Sequence, residues 1–113
     1  MGSSIRYQRR KSGLTQRELA EILGTIGDRQ VARHENSHAM PSSLVVIGYE
    51  VVFQASAEQL FPGAYETVRQ GIEQRLAEME RRLRENASKG RSVVDLARKL
   101  QWIEAWRIEN MRG

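Results

Sequence analysis

Cysteine is absent from this chain of 113 residues. Its absence excludes disulfides, thiolate metal sites and cysteine catalysis, and it fits a reducing compartment such as the cytoplasm. No apolar run approaches the roughly 20 residues that a membrane-spanning helix needs, and the opening residues MGSSIRYQRRK lack the apolar centre of a signal peptide. The sequence therefore predicts a cytoplasmic protein without a membrane partner.

Proline is scarce and occurs only at positions 41 and 62. Alternation of apolar and polar residues between turn pairs, which would mark a strand, is also missing. Helix signals dominate instead, and both prolines stand where two helices should be separated. These patterns predict an all-α fold.

The excess of positive charge is small, since 18 lysine and arginine residues face 14 acidic residues, for a net charge of +4 and a pI of about 10.0. Residues 1–63 carry 7 basic and 6 acidic side chains, and residues 64–113 carry 11 and 8. This balance makes an anionic partner plausible without naming it. The fold must therefore gather the basic residues that bind such a partner on one surface.

The first two helices have clear start and stop signals. Gly13 is expected to end a helix over residues 4–12. Thr15 and Glu18 form a capping box that opens a second helix, and Gly24 ends it. The buried face of this second helix is predicted to be Leu19, Ile22 and Leu23.

Two further helices and one short helical turn follow the GTIGD turn. Asp28 is the expected N-cap of a third helix over 29–36. A fourth helix over 42–53 is apolar almost all round, which is typical of a helix covered on every side, here by the second half of the chain or by another subunit. Val46, Tyr49 and Phe53 are predicted to be its contribution to the core of the first half of the chain. Its other large apolar residues, which that core does not need, are Leu44, Ile47 and Val51.

The second half of the sequence predicts a hairpin of two long helices. Apolar residues of the first long helix are spaced by 4, 3 and 4, which is heptad-like, and Ser92 with Asp95 forms a capping box for the last helix. We therefore predict two domains, 1–63 and 64–113, and assign dimerisation or partner binding to the second. The predicted dimer interface consists of Ile72, Leu76, Met79, Leu83, Leu100, Ile103 and Trp106.

The stretch GLTQRELAEILGTIGDRQVARHEN, residues 13–36, joins two short helices by a tight turn. With the later EN, PS and SAEQLF motifs, it resembles the Cro/repressor-type (XRE) helix-turn-helix family over about residues 5–61. The resemblance implies a five-helix domain in which one helix crosses the DNA backbone and the next lies in the major groove. It also implies a bacterial or phage-encoded protein that is associated with the nucleoid when bound.

The resemblance assigns roles to individual side chains. Base contacts are implied on the third helix for Arg29, Gln30, Arg33 and, unless it serves only as the cap, Asp28. Phosphate contacts are implied for Gln16, Arg17, Arg10, Asn36 and His38. The family's buried ion pair is matched by Arg9 and Glu35.

Three departures from the family pattern have structural consequences. The turn before the third helix is one residue longer than usual, which could shift the base-facing residues by part of a turn. Ser37 stands where the family prefers glycine, so a left-handed backbone there would be mildly strained. His34 replaces an aliphatic residue and is expected to be a partly buried packing residue.

Other functions have weaker support in the sequence. Arg29 and Arg33 could be an exposed pair that only solvates a helix face. The HENSH segment lacks a third ligand, so no metal site is predicted, and no cofactor motif is present. Glutamates alternate with arginines along the long helix in a pattern typical of a solvated, ion-paired face. We therefore expect no enzymatic activity.

These inferences together predict a sequence-specific double-stranded DNA-binding transcriptional regulator, such as a repressor, that acts as a homodimer on a pseudo-palindromic operator. Two alternatives remain open. The chain could be the antitoxin of a toxin–antitoxin pair, with the hairpin bound to the toxin. It could also be a protein-binding adaptor that has lost DNA binding.

Overall fold

The computed structural model describes residues 3–87 and 93–110, which form seven helices and no strand. The all-α prediction is confirmed. The helices are α1 (Ile5–Lys11), α2 (Gln16–Leu23), α3 (Asp28–Glu35), α4 (Ser43–Phe53), α5 (Ala57–Leu60), α6 (Pro62–Glu85) and α7 (Val93–Asn110).

Local hydrogen bonds explain why α2 begins and ends where it does. The Thr15 hydroxyl accepts a bond from the Glu18 backbone N–H (3.0 Å), and the Glu18 carboxylate accepts one from the Thr15 N–H (2.9 Å). Gly24 closes the helix in the left-handed conformation at φ 78°. The predicted capping box is thus confirmed, whereas the one predicted at Ser92 lies outside the described residues.

The prediction that Asp28 caps α3 is wrong. Gly27 is the N-cap, with an extended backbone whose carbonyl accepts bonds from the N–H groups of Gln30 (3.1 Å) and Val31 (3.2 Å). Asp28 is instead the first residue of the helix. A carboxylate in the first turn still stabilises a helix, because it faces the positive end of the helix dipole.

The core of the first half is formed where α1 to α5 meet. Tyr49 of α4 is completely buried and stacks on Phe53, with ring centroids 6.4 Å apart. Val46 and Phe53 are partly buried against this core, as expected of a core face, but Val45 is the more buried valine. The completely buried aliphatic residues around Tyr49 are Ile5, Leu19, Val31 and Leu60.

Two apolar surfaces of this first half are exposed. Ile22 was expected on the buried face of α2, but it is 55% exposed, because Leu19 and Ala20 are the residues of α2 that fill the core. The surplus residues of α4 lie opposite Tyr49 on the helix, and their exposed fractions are 79% for Leu44, 53% for Ile47 and 70% for Val51.

The chain divides into two compact units, 1–67 and 68–113, and α6 runs through the division. The domain boundary predicted after residue 63 stays a prediction. In the second unit α6 and α7 are antiparallel, since Glu80 pairs with Arg107 (3.2 Å) while Arg69 bonds the carbonyl of Asn110 (3.5 Å).

Candidate nucleic-acid interface

The helix pair α2 and α3 forms a rigid bracket. Ala20 of α2 and Val31 of α3 are both buried, and the two helices pack directly on each other. The turn between them ends at Gly27, which has an extended backbone and no side chain to obstruct it. The orientation of α3 is therefore set by core packing and not by the flexibility of the turn.

The outward face of α3 carries the side chains that were predicted to contact bases. Arg29, Gln30 and Arg33 are exposed, as is Asp28 at the start of the helix. Within residues 3–87 and 93–110, neither guanidinium group forms a hydrogen bond or ion pair. Both guanidinium groups are thus available to a ligand, and the longer turn has not rotated them into the protein.

The inward face of α3 consists of Val31, His34 and Glu35, all buried. The His34 Nδ1 atom lies 2.8 Å from the Tyr49 hydroxyl, and the two rings meet edge to face with their centroids 5.8 Å apart. Burial, and to a lesser degree the charge of Arg33, lower the pKa of His34 below its ordinary value of 6.5. Its predicted packing role fits this position, in which it anchors α3 to α4.

The buried position of His34 predicts a pH-dependent stability. The pKa of His34 is lower in the folded chain than in the unfolded chain, so the unfolded chain binds the extra proton more readily. The free energy of unfolding should therefore decrease as the pH falls below about 6.5, and it should keep falling until the pH reaches the folded pKa. Urea denaturation at pH 7.5 and pH 5.5 measures this difference.

A glutamine variant isolates His34 in that experiment. His34→Gln should flatten the pH dependence between 5.5 and 7.5, because glutamine does not titrate. Equal slopes in His34→Gln and the parent chain would contradict the assignment.

The predicted ion pair ties α1 to the end of α3. Arg9 Nε lies 2.5 Å from Glu35 Oε2 and its Nη2 lies 3.1 Å from Oε1, while its Nη1 donates to the Leu14 carbonyl (2.9 Å). The Glu35 side chain is 0% exposed. Burial alone would raise the pKa of Glu35, but hydrogen bonds from Arg9 and Gln16 hold it below its ordinary value.

The side chains predicted to contact phosphates differ in how they are held. Arg10, Arg17 and His38 are exposed. Gln16 is half-buried and donates from Nε2 to Glu35 Oε1 (3.2 Å). Asn36 is exposed and accepts a hydrogen bond from Arg6 (2.6 Å), a residue outside the set that was predicted to contact phosphates.

The backbone at Ser37 is in the left-handed region, at φ 59°, as its position in the motif suggested. This conformation lets the N–H of His38 bond the carbonyl of Arg33 (2.9 Å) and so closes the end of α3. Gln54 adopts a similar conformation after α4, at φ 49°, and no sequence signal had indicated it.

Ser37→Gly is expected to raise the free energy of unfolding by about 0.5–1 kcal/mol, because glycine adopts positive φ without a Cβ clash. Urea denaturation followed by circular dichroism measures the change. Ser37→Ala is the matched control, since alanine keeps the Cβ and should give no stabilisation. Stabilisation of both variants to the same degree would rule out backbone strain as the cause.

The predicted dimer-interface residues differ in how far their side chains are buried within the second unit. Leu83 (8% exposed) and Ile103 (1%) are already buried within the second unit. Met79 is exposed, and the remaining four are half-buried. A second chain would therefore cover mainly the outer residues of this set, Ile72, Leu76, Met79, Leu100 and Trp106.

The described residues offer no support for two other kinds of site. Across 3–87 and 93–110, no three histidine or acidic side chains are grouped closely enough to hold a metal ion. None of the helices in these ranges has the length and apolar character needed to cross a membrane.

The fold and the exposed basic helix together define a DNA-binding domain of the helix-turn-helix class. A helix-turn-helix family profile matches residues 5–60, and this segment is a helix-turn-helix domain of the Cro/repressor (XRE) type. The resemblance inferred from the sequence motifs is thus confirmed. Comparisons with curated proteins and with solved structures gave no match.

Proposed function

We propose that the protein is a sequence-specific transcriptional regulator that reads duplex DNA with α3. The observation that carries the proposal is the two-sided character of this helix. Its inner face is anchored through Val31, His34 and Glu35, while Arg29 and Arg33 project from the outer face without a partner among the described residues. Arginine on a major-groove helix can bond guanine O6 and N7 with two donors, which discriminates between base pairs.

The proposed mechanism divides the contacts into two kinds. Gln16, Arg17, Arg10, Asn36 and His38 would bind phosphates and set the position of the bracket on the duplex. Arg29, Gln30 and Arg33 would then reach base edges. The Asp28 carboxylate would accept a hydrogen bond from cytosine N4. Occupation of an operator would block or recruit RNA polymerase, depending on where the operator lies.

We further propose that the protein acts as a homodimer. One bracket contacts only a few base pairs, whereas two-fold symmetry places two recognition helices in successive major grooves, about 34 Å apart. Exposed apolar side chains support an interface, because α7 presents Val94, Trp102 and Ile108 at 60%, 59% and 56% exposure. The outer residues of the predicted hairpin set would extend the same interface. Sedimentation as a monomer at micromolar concentration would contradict it.

Selection of bound sequences from a random duplex library tests the proposed function. We expect an enriched pseudo-palindrome, whose half-site and spacing report the recognition helix and the dimer. Binding to random duplex DNA should weaken steeply with salt, since phosphate contacts release counterions. An adaptor without DNA-binding activity would show neither enrichment nor salt-dependent binding.

A further inference from the structure

The carboxylate of Glu35 connects three helices. Its Oε1 atom accepts hydrogen bonds from Arg9 Nη2 (3.1 Å) and Gln16 Nε2 (3.2 Å), and at longer range from Arg6 Nε (3.4 Å). Glu35 belongs to α3, Gln16 begins α2, and both arginines lie on α1. The network is therefore larger than the Arg9–Glu35 pair of the family motif. It includes Gln16 and, through Arg6, also Asn36, which are two of the proposed phosphate-binding side chains.

Arg6 carries the network to the protein surface. Its Nη2 atom donates to Asn36 Oδ1 at 2.6 Å, while its side chain is 46% exposed. Asn36 lies just beyond α3, at the point where the chain would approach the phosphate backbone. Because Arg6 engages the amide oxygen, the remaining hydrogen-bonding end of this side chain is the Nδ2 donor. No residue within 3–87 or 93–110 accepts a hydrogen bond from that donor.

The geometry points to Arg6 as a positioning residue for DNA binding, which orients the Asn36 amide so that Nδ2 donates to a phosphate oxygen. Without Arg6 the amide would be free to rotate and present its oxygen, which repels a phosphate. This role rests on the proposed function. It differs from a direct ion pair between Arg6 and DNA, because Arg6 acts here through Asn36.

A double-mutant cycle on DNA binding tests the inference. Fluorescence anisotropy with a random-sequence duplex at several salt concentrations gives the affinities of the parent chain, Arg6→Ala, Asn36→Ala and the double variant. We expect each single change to weaken binding about fivefold to tenfold, and the double change to weaken it no further. Independent effects that multiply in the double variant would overturn the inference.

Two additional variants sharpen the readout. Arg6→Gln keeps an N–H donor for Asn36 without the charge, so it should bind within about twofold of the parent chain. Arg10→Ala removes a proposed direct phosphate contact and should lower the slope of log affinity against log salt by about 1. Arg6→Ala should leave that slope unchanged. A reduced slope for Arg6→Ala, or undiminished affinity, would overturn the positioning role.

Two outcomes separate this inference from the proposed function. If the parent chain binds and Arg6→Ala binds equally well while thermal unfolding shows both to be folded, the inference fails and the regulator proposal stands. If the parent chain shows no salt-dependent binding to duplex DNA, the proposed function fails and takes this inference with it.

Discussion

Replacing Arg9 by alanine is expected to lower the free energy of unfolding by about 3–5 kcal/mol. Glu35 would keep its buried carboxylate but lose two of its hydrogen bonds, and the carbonyl of Leu14 would also lose its donor. Arg6 would compensate only partly, because it contacts Glu35 at 3.4 Å and is half exposed to solvent. A loss of this size is a large fraction of the 5–15 kcal/mol typical of a folded domain.

Urea denaturation followed by circular dichroism measures this loss, with Arg10→Ala as the matched control. Arg10 is the next residue of α1 but is exposed, so its replacement should change stability by less than about 0.5 kcal/mol. The double variant Arg9→Ala/Glu35→Gln should be more stable than Arg9→Ala alone, because it removes the uncompensated buried charge. A loss below about 1 kcal/mol for Arg9→Ala would show that the pair contributes little.

The second large effect is expected on DNA recognition. Arg33→Ala should weaken binding to the selected operator by about 1–3 kcal/mol and relax the base preference at one position of each half-site. The physical reason is the loss of a two-donor contact with a guanine edge. Binding to random duplex DNA should change much less, since that affinity comes mainly from phosphate contacts.

The matched control for Arg33→Ala is Arg98→Ala. Arg98 is an exposed arginine of α7, so its replacement changes the net charge by the same amount and leaves every residue of α2 and α3 as it is. Anisotropy titrations with the operator and with random duplex give the specificity ratio for each variant. If Arg33→Ala weakened both duplexes to the same degree, Arg33 would be a phosphate contact, and the base-contact assignment would be wrong.

Much of the first half could be predicted because its signals are local. The Thr15–Glu18 capping box and the glycine after α2 act within one helical turn, so residue types at fixed spacing were sufficient. For Asp28, by contrast, the local signals were not sufficient, and its predicted role as the N-cap of α3 was wrong. An acidic residue at a helix start is equally compatible with the cap and with the first turn, and only the extended backbone of Gly27 decided between them.

The site was less predictable than the fold. Arg29 and Arg33 could be assigned to an exposed helix face, but whether other parts of the chain neutralise them depends on tertiary contacts. The bond from Arg6 to Asn36 spans 30 positions and has no sequence signature. The same holds for Ile22, whose exposure depends on which side of α2 meets α3 and α4.

By itself, the sequence determined the helical class, the ends of α2 and the residue types available to bind DNA, because each depends on neighbours within a few positions. The sequence motif also indicated the Arg9–Glu35 pair, but only the tertiary structure decided that Gln16 and Arg6 bond the same buried carboxylate, so that Glu35 links α1, α2 and α3. It also decided that the arginines of α3 face away from the core. The reason is physical: which side chain is buried and which donors surround it depends on how the helices pack, and packing brings together residues that lie far apart in the chain.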